Sequence, residues 1–117
     1  MTQYTGGCQC GAVRYRVELD RLEPAIACNC SRCQKLGSLL AFAPRETFSL
    51  ERGEDDLTEY TFNTGTIRHM FCAICGIESF AYGRMPDGTP MAAINLNCLD
   101  GVDPRALQTT LYDGRSA

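Results

Sequence analysis

The chain has 117 residues, of which 44% are hydrophobic, and a formal net charge of −3. That length is one domain's worth, residues 1–117, with a core small enough that a metal staple would help it. The acidic balance argues against nucleic acid as a partner, since phosphate binding needs a basic face, and no apolar run is long enough to span a bilayer.

In chain order, Met1 to Gly7 lacks the basic and apolar regions of a secretory leader, so a reducing, cytoplasmic setting is expected. Val13, Tyr15, Val17 and Leu19 alternate with Arg14, Arg16 and Glu18, the pattern of a half-buried strand. Ala25 to Cys28 reads as a second strand. Ser31 to Leu36 reads as a short helix. Ser38 to Ala43 is a continuous apolar strand, turned by Pro44-Arg45-Glu46 into Thr47 to Leu50. Gly53 to Asp56 is a loop. Leu57 to Phe62 and Thr66 to Phe71 flank Asn63-Thr64-Gly65, as a hairpin would. Ile77 to Tyr82 and Met91 to Leu96 are further strands around a turn-rich 84–88, and Asp103 to Leu107 is a second short helix. Many short strands with turn signals predict a mostly β fold.

The eight cysteines are read as metal ligands, because a reducing compartment disfavours disulfides. Cys8-Gln9-Cys10 and Cys28-Asn29-Cys30 are too closely spaced to pair internally without strain, but suit ligands of one ion. Cys72-Ala73-Ile74-Cys75-Gly76 is a C-x-x-C turn. Its glycine permits a positive φ, and its free N–H groups can bond to thiolates. Tetrahedral Zn²⁺ needs two more ligands. Cys8 and Cys10 are expected to supply them from one face of a strand, giving a closed structural site. A redox dithiol is the competing reading of Cys72 and Cys75, and no βαβ pattern supports it.

The second cluster is Cys28-Asn29-Cys30-Ser31-Arg32-Cys33. Three protein ligands with an open fourth position is the arrangement of a catalytic zinc. Two alternatives remain open here: closure of this site by Cys98 or His69, and a split in which Cys8 and Cys10 join it. Cys98 is otherwise a small buried hydrophobe, and His69 a hydrogen-bonded side chain. Glu51, Glu54, Asp55 and Asp56 read as solvated. Arg32 and Lys35 could offset three thiolates and attract an anionic ligand. No general base or buried carboxylate stands out.

Three segments together resemble the glutathione-dependent formaldehyde-activating enzyme family, also called the centromere-protein-V family. They are Gly6-Gly7-Cys8-Gln9-Cys10-Gly11-Ala12-Val13-Arg14-Tyr15, Cys28 to Lys35, and Phe71-Cys72-Ala73-Ile74-Cys75-Gly76. Asn95 to Gly101 is similar to the family's closing segment. The resemblance runs in order along nearly the whole chain, and departs from it at Asn29, where the family often has histidine. It implies the Mss-four-like β-tent, a zinc-stapled fold of short antiparallel strands. It implies a structural zinc on Cys8, Cys10, Cys72 and Cys75, and a second zinc on Cys28, Cys30 and Cys33. The implied activity is carbon–sulfur lyase or S-(hydroxymethyl)glutathione synthase chemistry, with glutathione as cosubstrate and a small aldehyde as partner. Arg32 and Lys35 are the expected glutathione contacts. A non-catalytic thiol carrier and a zinc-stapled interaction scaffold are the rival readings.

Overall fold

The computed structural model describes residues 1–116. In chain order it forms β1 (Thr2–Gly7), β2 (Arg14–Leu19), β3 (Ala25–Cys28), α1 (Ser31–Leu36), β4 (Leu40–Pro44), β5 (Phe48–Arg52), β6 (Leu57–Tyr60), β7 (Arg68–Cys72), β8 (Phe80–Arg84), β9 (Pro90–Asn95) and β10 (Thr109–Tyr112), with short 3-10 turns between some of them. The strands make two sheets, β1-β2-β5 and β10-β3-β4-β9-β8-β7-β6. All pairings are antiparallel except β10, which lies parallel to β3. The fold is mostly β, as the short alternating segments predict. No helix among the described residues is long and apolar enough to cross a membrane.

The alternation in β2 explains how the sheets meet. Tyr15, Val17 and Leu19 are buried while Arg16 and Glu18 face solvent. Tyr15 packs against Phe48 and Phe80 with ring centroids 5.1 and 5.7 Å apart, so the core lies between the small sheet and the large one. Phe80, Ile94 and Leu96 are also fully buried, each worth roughly 1.5–3 kcal/mol of apolar transfer. Tyr15 donates its hydroxyl to the Ser79 carbonyl at 3.1 Å, which gives its buried polar end a partner.

Two local expectations are corrected, and two strands, β1 and β10, lie where no element was read. Met1 to Gly7, read only as lacking a leader, contains strand β1, where Gly6 sits so close that an added Cβ would lie 2.7 Å from the Cys98 carbonyl. Ile77 to Ser79 is not strand. The Ile77 carbonyl accepts the Cys72 N–H at 3.0 Å and closes the cysteine turn, so β8 starts only at Phe80. Asp103 to Leu107 contains only a 3-10 turn at Pro104–Ala106, capped by Asp103. Strand β10 was unpredicted, because its four residues are all exposed and carry no alternating burial signal.

Candidate metal centres

The first centre joins the two sheets. Cys8 and Cys10 follow β1 of the small sheet, and Cys72 and Cys75 close β7 of the large one. Their four sulfurs lie within 4.8 Å of one another. Cys8 Sγ is 3.6 Å from Cys10 Sγ, which is 3.8 Å from Cys72 Sγ. A disulfide requires about 2.05 Å, so these are separate sulfurs. Bonds of about 2.3 Å to a tetrahedral zinc place its ligands about 3.8 Å apart, so the spacing fits such an ion.

The expected strand geometry for Cys8 and Cys10 is corrected. Residues 9–11 are a turn, held by Gly11 N–H to Cys8 C=O at 3.3 Å and Cys8 N–H to Val13 C=O at 3.1 Å. A tight turn, not strand alternation, brings the two sulfurs together. At the other end Gly76 has φ +80°, the left-handed conformation the C-x-x-C reading anticipated. Backbone N–H groups of Val13 and Ile74 point at Cys8 and Cys72 Sγ, at 3.3 and 3.4 Å.

The second centre is local. Cys28 ends β3, Cys30 caps α1 and Cys33 lies within it. Their sulfurs also lie within 4.8 Å of one another, and all three residues are half-buried. The Cys30 side chain accepts the Cys33 N–H at 3.3 Å, and Cys28 Sγ accepts the Cys30 N–H at 3.4 Å. The helix N-cap is thus itself one of the candidate ligands. Neither Cys98 nor His69 belongs to either group among the described residues.

Arg32 and Lys35 both sit on α1. Lys35 is exposed. Arg32 directs Nε and Nη2 to Glu78 Oε1 at 2.9 and 2.7 Å and lies over the Tyr60 ring at 4.6 Å. The other Glu78 oxygen, Oε2, is 2.9 Å from His69 Nδ1. A carboxylate only accepts, so Nδ1 carries the hydrogen in this bond. Glu78 is the buried carboxylate that sequence reasoning missed: its side chain is 10% exposed and that of His69 is 7%. The only available signal was a lone acid three residues beyond Cys75, which is weak.

Residues 3–113 match the sequence profile of the glutathione-dependent formaldehyde-activating enzyme family. The chain belongs to that family. A crystal structure of a Rhodobacter sphaeroides protein, a structural-genomics target, is also similar: 34% identity over 91% of this chain and 99% of that one, with a TM-score of 0.79.

In this family member the crowded sulfurs oppose one another's ionisation. Burial works against the Cys75 thiolate, but the backbone N–H groups of Cys10 and Ile77 and the neighbouring thiols outweigh it, and its pKa falls to about 6. At Cys10 the Ala12 N–H favours the thiolate, yet burial and the sulfurs of Cys8, Cys72 and Cys75 together push the thiol up to about 11. In the second centre burial, then Cys30, pushes Cys33 up to about 12. Cys30 is lowered in spite of its burial, chiefly by the Cys33 N–H. Several sulfurs therefore cannot ionise together without a compensating cation. A soft divalent ion supplies that compensation, so both donor sets fit zinc. Cys98 is pushed up to about 11 by burial and by the charges of Cys8 and Cys75; it sits beside the first centre, outside both donor groups.

Proposed function

We propose that the protein is an enzyme that makes and cleaves the carbon–sulfur bond between glutathione and a small aldehyde, an S-(hydroxymethyl)glutathione synthase-like lyase. The observation that carries this reading is the half-buried group of Cys28, Cys30 and Cys33, three sulfurs rather than four. The family membership supports it. Cys8, Cys10, Cys72 and Cys75 would hold a structural zinc, and Cys28, Cys30 and Cys33 a second one. Zinc at the second centre would supply thiol activation and carbonyl polarisation.

The reaction is balanced without an oxidant. The glutathione sulfur bonds to the carbonyl carbon, the carbonyl π pair moves to oxygen, and the thiol proton ends on that oxygen. Reversal cleaves the same bond. The chain's own residues bind and orient. Arg32 and Lys35, on the helix that carries Cys33, would face the peptide's carboxylates, and Glu78 would fix the Arg32 guanidinium in place. The setting is a reducing one, such as the cytoplasm, in keeping with eight free cysteines.

The test is exchange NMR with glutathione and a small aldehyde. Interconversion of free glutathione and its hemithioacetal should be faster than in buffer, and Cys33→Ser should abolish the acceleration. S-methylglutathione, which has no thiol, should bind much less well. Equal binding of the two, with unchanged exchange, would favour the carrier or scaffold reading instead.

A further inference from the structure

The three-cysteine centre has a neighbour that its local sequence does not reveal. Strand β10 runs parallel to β3 with Tyr112 opposite Cys28, which carries the following segment, residues 113–116, alongside the cysteines. Asn29, between the first two cysteines, bonds once to the end of β10 and twice to that segment. Its backbone N–H bonds to the Tyr112 carbonyl at 3.1 Å. Its amide Nδ2 donates to Asp113 Oδ1 at 3.0 Å, and its Oδ1 accepts the Arg115 N–H at 3.0 Å. Arg115 then reaches α1, where Nη2 donates to Gln34 Oε1 at 3.0 Å.

Gly114 is the point of closest approach. A Cβ there would lie 2.6 Å from Cys28 Sγ and 3.2 Å from Cys30 Cβ. Gly114 is absent from the glycines with positive φ, so the backbone conformation does not demand glycine; the space beside the sulfur does. Close backbone approach is the other standard use of glycine.

We infer that Asp113, Gly114 and Arg115, anchored by Asn29, form a built wall of the three-cysteine centre and position Cys28 as a ligand. This rests on the reading of that centre as a zinc site. Groups that orient a ligand from outside the metal's own ligand set commonly alter metal affinity by 10–100-fold when changed. A methyl group on residue 114 must displace either the Cys28 sulfur or the segment, and loss of the Asn29 side chain frees the segment without any clash.

The experiment uses the full chain loaded with zinc, and in parallel with cobalt, whose thiolate charge-transfer and d–d bands report ligand geometry. Wild type, Gly114→Ala, Gly114→Val and Asn29→Ala are compared by release of metal to a chelator. One of two equivalents should leave roughly tenfold faster or more in Gly114→Ala, and faster still in Gly114→Val. Its cobalt bands should shift, while the second equivalent and the thermal midpoint stay near wild type. Asn29→Ala should show the same selective loss, and it decides the matter if the glycine variants do not fold. Wild-type release and spectra in both Gly114→Ala and Asn29→Ala would overturn the inference alone, as would equal weakening of both equivalents. A wild-type protein that binds only one ion would overturn the inference together with the zinc reading. Selective loss in a protein without thiol–aldehyde activity would uphold the inference and sink only the enzyme reading.

Discussion

Replacing Glu78 by glutamine tests whether the Arg32–Glu78–His69 chain holds the second centre in place. Glutamine keeps the shape but loses the charge, and offers one acceptor where the carboxylate offers two. If its oxygen stays on Arg32, its NH₂ group faces His69 Nδ1 and is satisfied only if the imidazole moves its hydrogen to Nε2; if it flips, the NH₂ faces Arg32. The charge-assisted character of the Arg32 contacts is lost either way. The contacts lie at 2.7–2.9 Å, and hydrogen bonds to charged groups contribute about 1.5–3 kcal/mol. Breaking a fully buried pair costs about 3–5 kcal/mol. Arg32 is 22% exposed, so water recovers part of that, and we expect a loss of about 2–3 kcal/mol. For a chain of this size that is roughly a 10 °C fall in melting midpoint. Urea titration of zinc-replete protein gives the number, and a cycle with Arg32→Met should show coupling of about 1 kcal/mol or more. A loss below about 0.5 kcal/mol, the range of an unremarkable surface change, would refute the argument that this network is a buried, charge-dependent brace.

Cys75→Ser should abolish the cooperative melt at moderate temperature, whereas Cys33→Ser should melt near wild type and retain one zinc equivalent by elemental analysis; the opposite pairing would reverse the roles of the centres. Cys98→Ala should keep both equivalents and cost roughly 1 kcal/mol in packing, so loss of an equivalent would make Cys98 a ligand. The Arg14 guanidinium, then the Thr5 hydroxyl, hold the Asp100 carboxyl below the usual carboxylate range. A depressed carboxylate contributes stability that is present above its unfolded pKa of about 3.9 and disappears as pH falls through its folded value. The advantage of wild type over Asp100→Asn should therefore be constant from neutral pH to about 5, begin to fall near the unfolded pKa of about 3.9, and disappear only once pH has fallen through the lower folded value. It should stay under about 1 kcal/mol, because the pair is exposed and screened; an advantage that grows on acidification contradicts the assignment.

Chemistry that repeats at short spacing was legible in the sequence. The C-x-C, C-x-C-x-x-C and C-x-x-C-G runs identified the residues that the fold gathers into two groups, because short spacing confines sulfurs to one neighbourhood in almost any fold. The β2 alternation and the hairpin of β6 and β7 were legible for the same local reason. What escaped was tertiary. Glu78 looks like any surface acid until β7 and α1 place His69 and Arg32 on its two oxygens. Strand β10 is exposed at every position, and only its parallel pairing with β3 gives it a place. The Cys8–Cys10 geometry was misread because a turn and a strand can both bring i and i+2 together.

On the proposed reading the two centres would divide their work by topology. Cys10 follows β1 of the small sheet and Cys72, 62 residues on, closes β7 of the large one, so an ion between them would fix how the sheets sit on one another and close a long loop. Closing a loop of that length costs the unfolded chain about 2 kcal/mol more than closing one of five residues, and an ion at the first centre would add to the Tyr15–Phe80 packing in offsetting it. Cys28 to Cys33 spans one strand end and one short helix. An ion lost there would leave the sheet pairing, the aromatic core and the first centre in place. A centre whose occupancy the fold does not require is free to change its ligands during a reaction, and a centre that joins the sheets is not. That asymmetry adds to the ligand count in support of the proposal that thiol chemistry belongs to Cys28, Cys30 and Cys33.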